Sequence, residues 1–117
     1  MDEATLVDLI KGTLEDWRKF FEDPLKYARL IKQVVCGFDP EARVILFGSA
    51  AKGLLKPSSD IDVLVVTSLA EDLHSRVKLR IKVKEALGHV TPIELHVVTP
   101  REFQEWYSRF LDVYVEV

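Results

Sequence analysis

The run at residues 61–67, Ile-Asp-Val-Leu-Val-Val-Thr, constrains this chain more than any other stretch. Val63, Leu64, Val65 and Val66 leave no polar face, which is the pattern of a strand covered on both sides. Such a strand requires a sheet with layers packed against both faces. Other strands are readable around it. Arg43 to Phe47 is a short apolar run, and Pro92 precedes a third run from Ile93 to Val98. Val113, Val115 and Val117 alternate as a closing strand.

Helical periodicity fills the intervals. Leu6, Ile10, Leu14, Trp17 and Phe21 recur at three- and four-residue steps, predicting a helix over about 4 to 22. Asp23-Pro24 restarts the chain as an N-cap and a first helical residue, and Leu25, Ala28, Ile31 and Val35 carry a second helix to Cys36, with Gly37 as its stop. Residues 70–88 fit two patterns. Val77, Leu79, Ile81 and Val83 alternate with basic residues as in a strand, whereas Leu73, Val77, Ile81 and Ala86-Leu87 fit a helix. The length of the segment and its place between two strands favour the helix, with Gly88 as its stop. Thr99-Pro100 opens a last helix over 100–110, on which Phe103, Trp106, Tyr107 and Phe110 follow core or partner-contact spacing. The fold class expected is α/β (α+β): a small mixed sheet flanked by helices.

Composition narrows the classes. At 117 residues the chain reads as a single domain. A net charge of −3 gives no bulk attraction to nucleic acid or anionic membrane. Arg76, Lys78, Arg80, Lys82 and Lys84 read as a solvated helix face, since alternate positions do not form one stripe on a helix. No run approaches the roughly 18 apolar residues of a membrane span. Met1-Asp2-Glu3 is acidic with no apolar run behind it, which predicts no secretory leader. Cys36 is the only cysteine, so no internal disulfide forms, and a cytoplasmic location is expected.

The chemistry is concentrated in Leu46-Phe47-Gly48-Ser49 and, after ten intervening residues, Asp60-Ile61-Asp62. Asp60 and Asp62, two apart at a strand entrance, project to one face. Carboxylates held close repel one another, and a divalent cation removes the conflict; hard oxygen donors suit Mg²⁺. Glu94 lies between Ile93 and Leu95 and joins the aspartates if the second and third strands are neighbours. Three carboxylates can hold two metal ions. Gly48 permits a sharp turn close to a phosphate, Ser49 opens a helical turn with free N–H groups, and Lys52 adds a positive charge one turn on. His96 shares the parity of Glu94 and reads as a surface residue, and His74 and His89 carry no signal.

With these residues in hand, the sequence resembles the minimal nucleotidyltransferases of the DNA polymerase beta superfamily, over about residues 25–108. The shared pattern is strand, Gly48-Ser49, short helix, Asp60-x-Asp62 and a third carboxylate, Glu94, on a later strand. Residues 1–22 look like an addition to that core. The resemblance implies transfer of a nucleoside monophosphate, AMP from ATP, to a hydroxyl with release of pyrophosphate. It gives Asp60, Asp62 and Glu94 as metal-holding catalytic residues for two Mg²⁺ ions, and Gly48, Ser49 and Lys52 as nucleotide-binding residues. Small stand-alone members are often paired with a HEPN-domain toxin that they neutralise as antitoxins, in some cases by placing AMP on a tyrosine. The chain departs from the pattern at Ala50, where the family often has Arg, and in carrying Glu rather than Asp at position 94. It also lacks the extra acceptor-binding domain of larger relatives, so a partner protein or a second copy must supply that surface. The competing expectations are a non-catalytic partner-binding antitoxin and a small-molecule nucleotidyltransferase.

Overall fold

The computed structural model describes residues 17–53, 60–88 and 90–117. Of the helix expected over about 4 to 22, residues 17–22 are helical, and the remainder lies outside the described residues. Strands β1 (Arg43–Phe47), β2 (Ile61–Val66), β3 (Ile93–Val98) and β4 (Tyr114–Glu116) form a sheet in the order β3-β2-β1-β4. β1 pairs antiparallel with β2 and with β4, while β2 and β3 run parallel, so the sheet is mixed. β2 is interior and, apart from Asp62, buried throughout.

Both faces of the sheet are covered, as the apolar run at 63–66 requires. On one face Val44, Leu46, Ile61, Val63, Val65 and Val97 pack with Phe20 and with two helices, α1 (Pro24–Cys36) and α2 (Leu73–Leu87). On the other, Ile45, Leu64, Val66 and Val98 pack with Phe47, Phe103, Tyr107 and Leu111. Each fully buried Val, Leu or Ile side chain contributes about 1.5–3 kcal/mol relative to exposure.

Capping chemistry sets the helix boundaries. Asp23 accepts from the Lys26 N–H at 3.2 Å, and Pro24 occupies the first turn of α1. Gly37 follows α1 at φ −66°, so it ends the helix in the right-handed region and not as a left-handed cap. α2 starts at the Asp72 cap and stops at Gly88, whose φ of 102° suits a residue without Cβ. Residues 73–87 are thus helical, but the buried side chains are Leu79 and Val83; Leu73, Val77 and Ile81 are exposed. Two of the basic residues on α2 also fold back onto the protein. Arg76 bonds the Ala70 carbonyl and Glu102, and Arg80 bonds the Leu95 carbonyl at 2.7 Å.

The last helical segment, α3, runs through Pro100–Glu102, a π-helical turn at Phe103–Tyr107, and Ser108–Phe110. Its start is a reciprocal cap. Thr99 Oγ1 accepts from the Glu102 N–H, and the Glu102 carboxylate accepts from the Thr99 N–H, both at 3.1 Å. Phe103 and Tyr107 pack on the sheet, whereas Trp106 is exposed. Glu116 accepts two bonds from the Arg43 guanidinium, at 2.7 and 2.9 Å, fastening β4 to β1. Among the described residues no helix is long and apolar enough to cross a membrane.

Candidate active site

The second face of the sheet is where chemistry can take place. Strand parity places Asp62, Leu64 and Val66 of β2 on that face, with Glu94, His96 and Val98 of β3. At the far end Leu64, Val66 and Val98 pack under α3 and its flanking residues. At the near end the covering layer gives out and the polar residues begin. Asp62 lies opposite Phe47 of β1 and opposite Glu94 of β3. The expected adjacency of the second and third strands is therefore present.

Ligand atoms of Asp62, Glu94 and His96 all lie within 4.8 Å of one another. His96 Nε2 is 3.4 Å from Asp62 Oδ1 and 3.9 Å from Glu94 Oε1. The Asp62 and His96 side chains are each 26% exposed and Glu94 54%, so the cluster opens to solvent on the Glu94 side. The His96 ring packs near two aromatic rings, Phe47 at 5.4 Å and Tyr107 at 6.2 Å between centroids.

Gly48 closes the site from the end of β1. Its φ is +69°, and a Cβ built there falls 2.8 Å from Asp62 Oδ2. The backbone can turn this tightly against the carboxylate only because the side chain is missing. One helical turn follows, closed by the Lys52 N–H on the Gly48 carbonyl at 3.3 Å and by the Gly53 N–H on the Ala50 carbonyl at 3.3 Å. Ser49 is half-buried at the start of this turn. Residues 54–59 of the connection to Asp60 lie outside the described residues.

The remaining expected residues are placed differently. Asp60 precedes β2, is exposed, and is not among the three clustered donors. Lys52 forms an ion pair with Asp112, 3.0 Å between Nζ and Oδ2. The bond from Lys52 holds the Asp112 carboxyl below the usual carboxylate range. His96 sits in the cluster and not on open surface as expected. Its parity with Glu94 carried the signal, but the pattern does not reveal its packing near Phe47 and Tyr107.

Two carboxylates and an imidazole at this spacing suit a divalent cation, and the Gly48 turn packs directly against one of the carboxylates. The sequence model of the nucleotidyltransferase domain family matches residues 28–113. The chain belongs to this family. The nucleotidyltransferase is similar to a solved structure of a candidate nucleotidyltransferase at 27% identity and a TM-score of 0.64, covering 76% of this chain and 95% of the other. A second solved structure, a candidate nucleotidyltransferase from Sulfolobus solfataricus, shares its fold at 21% identity and a TM-score of 0.56, covering 89% of this chain and 84% of that one. Comparison with curated proteins gives no match. In this nucleotidyltransferase domain Asp62 and Glu94 are paired on the sheet face beside the Gly48 turn.

Proposed function

We propose that this nucleotidyltransferase moves AMP from ATP to a hydroxyl of a partner protein in a reaction that needs a divalent cation. The observation that carries the reading is the placement of Asp62 opposite Glu94, with the Gly48 backbone against the Asp62 carboxylate. Asp62 and Glu94 would hold the metal, with Asp60 at the strand entrance as the donor toward a second ion. When bound, the metal supplies a clamp on phosphate oxygens and neutralises charge as it develops. Gly48 and Ser49 hold the triphosphate, whose charge the first amide groups of the turn favour. The acceptor oxygen attacks the α-phosphorus, the bond from that phosphorus to the bridging oxygen breaks, and pyrophosphate leaves. Glu94, more exposed than Asp62, takes the acceptor proton.

The resemblance drawn from Gly48-Ser49 and Asp60-x-Asp62 supports a HEPN-domain toxin as that partner, in the cytoplasm, and taken by itself implies Mg²⁺ as the ion. The test uses ATP labelled at either the α- or the γ-phosphorus, with the co-purified partner. Label from the α position alone on the partner supports nucleotidyl transfer; label from the γ position alone, or from neither, contradicts it.

One observation favours a second reading, a non-catalytic antitoxin that acts by covering its partner. Lys52 is engaged by Asp112, and Ala50 stands where an arginine is frequent, so the turn is short of positive charge. Neutralisation that survives Asp62→Ala supports this reading, and its loss in a complex that still forms excludes it.

A further inference from the structure

We infer that His96 is a direct ligand of the metal ion, and that the site therefore takes a first-row transition ion in preference to Mg²⁺. The inference rests on the reading of Asp62 and Glu94 as metal ligands. The all-carboxylate set expected from the sequence was Asp60, Asp62 and Glu94. The set that the fold brings together is Asp62, Glu94 and His96, with Asp60 outside it.

The spacing of the three groups fits ligation, with the His96–Asp62 contact serving as a hydrogen bond until an ion replaces it. Two ligand atoms bound to one ion at about 2.1 Å, and roughly 90–110° apart, stand about 3.0–3.4 Å from each other. His96 Nε2 lies 3.4 Å from Asp62 Oδ1 and 3.9 Å from Glu94 Oε1, close to that spacing before any ion draws the groups together. Phe47 and Tyr107 both pack near the imidazole, at 5.4 and 6.2 Å between ring centroids, which limits the ring's freedom. The donor types matter as much as the distances. Mg²⁺ favours oxygen donors and retained waters, whereas imidazole nitrogen suits later first-row ions. One nitrogen among three protein donors therefore tilts selectivity toward ions such as Co²⁺, Fe²⁺ or Zn²⁺.

Co²⁺ is the probe, titrated into the nucleotide-free full chain. Binding is followed by visible absorption, and the ligands by proton NMR with ¹⁵N-labelled histidine. The expected result is one bound ion and one imidazole N–H resonance shifted far outside the diamagnetic range. In His96→Gln that resonance disappears, and Co²⁺ affinity falls by at least the roughly tenfold to a hundredfold that losing even an outer partner costs. In His96→Asp, Mg²⁺ displaces Co²⁺ at a lower excess than in the parent chain. A parent chain that binds Co²⁺ without a shifted imidazole resonance, or the same resonance in His96→Gln, overturns the inference. Should His96→Gln fail to fold, His74→Gln and His89→Gln assign the resonance: its retention in both supports His96 as the ligand, and its loss in either overturns the inference. Shifted resonance without nucleotidyl transfer leaves this inference standing and removes the proposed function; transfer with Mg²⁺ and no shifted resonance does the reverse.

Discussion

Asp62 and Glu94 stand directly opposite each other across the parallel β2–β3 pair, and both face the layer that contains Tyr107. Like charges placed this way destabilise the metal-free protein, and a bound cation reverses the sign of the effect. The metal should therefore act as a folding ligand. At a free ion concentration one hundred times Kd it adds about 2.7 kcal/mol, a rise in Tm on the order of 10 °C for a domain of this size. Glu94→Gln should abolish that rise while leaving Tm in EDTA unchanged or higher. A thermal melt of both chains with and without the ion checks this.

Gly48 cannot be replaced without cost at two levels. The left-handed backbone costs an alanine about 1–2 kcal/mol, and its Cβ would lie 2.8 Å from Asp62 Oδ2. Gly48→Ala should therefore weaken metal binding by more than its loss of stability explains, because it displaces a proposed ligand. Urea unfolding beside calorimetric metal titration separates the two effects.

The Lys52–Asp112 pair engages the side chain proposed to meet the triphosphate. Asp112→Asn should release Lys52 and tighten binding of a non-hydrolysable ATP analogue by about threefold, the modest effect typical of an exposed pair. Tm should stay within error of the parent chain. Lys52→Met should weaken analogue binding in both backgrounds, as fluorescence titration can show.

The start of α3 carries an acid-sensitive contact. The Glu102 carboxyl is held below the usual range, first by the Thr99 N–H and then by the nearby Arg76. A depressed folded-state pKa means that the contribution is complete above the ordinary glutamate range and is lost as pH falls through the folded-state value. Glu102→Gln should therefore flatten the acid limb of the stability profile and leave its neutral region less stable than the parent. Thr99→Ala should cost about 1 kcal/mol at neutral pH. Urea midpoints measured across the acid range check both.

The sequence makes legible what local chemistry decides. The apolar run at 63–66 demands a two-sided sheet, and Thr99-Pro100 marks the start of α3, both of which the fold contains. Residues 73–87 are ambiguous because the helix carries apolar residues on two faces. Leu79 and Val83 are buried, while Leu73, Val77 and Ile81 are exposed, so the alternation reflects no single face. In the site, the facing of Asp62 and Glu94 follows from parity once the strands are adjacent. The capture of Lys52 by Asp112 joins residues far apart in sequence, and spacing rules cannot reach it. The same is true of Tyr107, which sits beside His96 only because α3 folds back over the sheet.

The central claim is tested most directly by transfer from α-labelled ATP to the co-purified partner, comparing the parent chain with Asp62→Asn in the presence of a divalent cation. Loss of one oxygen from this proposed metal ligand should lower transfer by about a hundredfold or more, the scale typical of losing one such electrostatic contact, with complex formation and Tm preserved. Equal labelling by the Asp62→Asn chain, or none by a folded parent chain in stable complex, would contradict it.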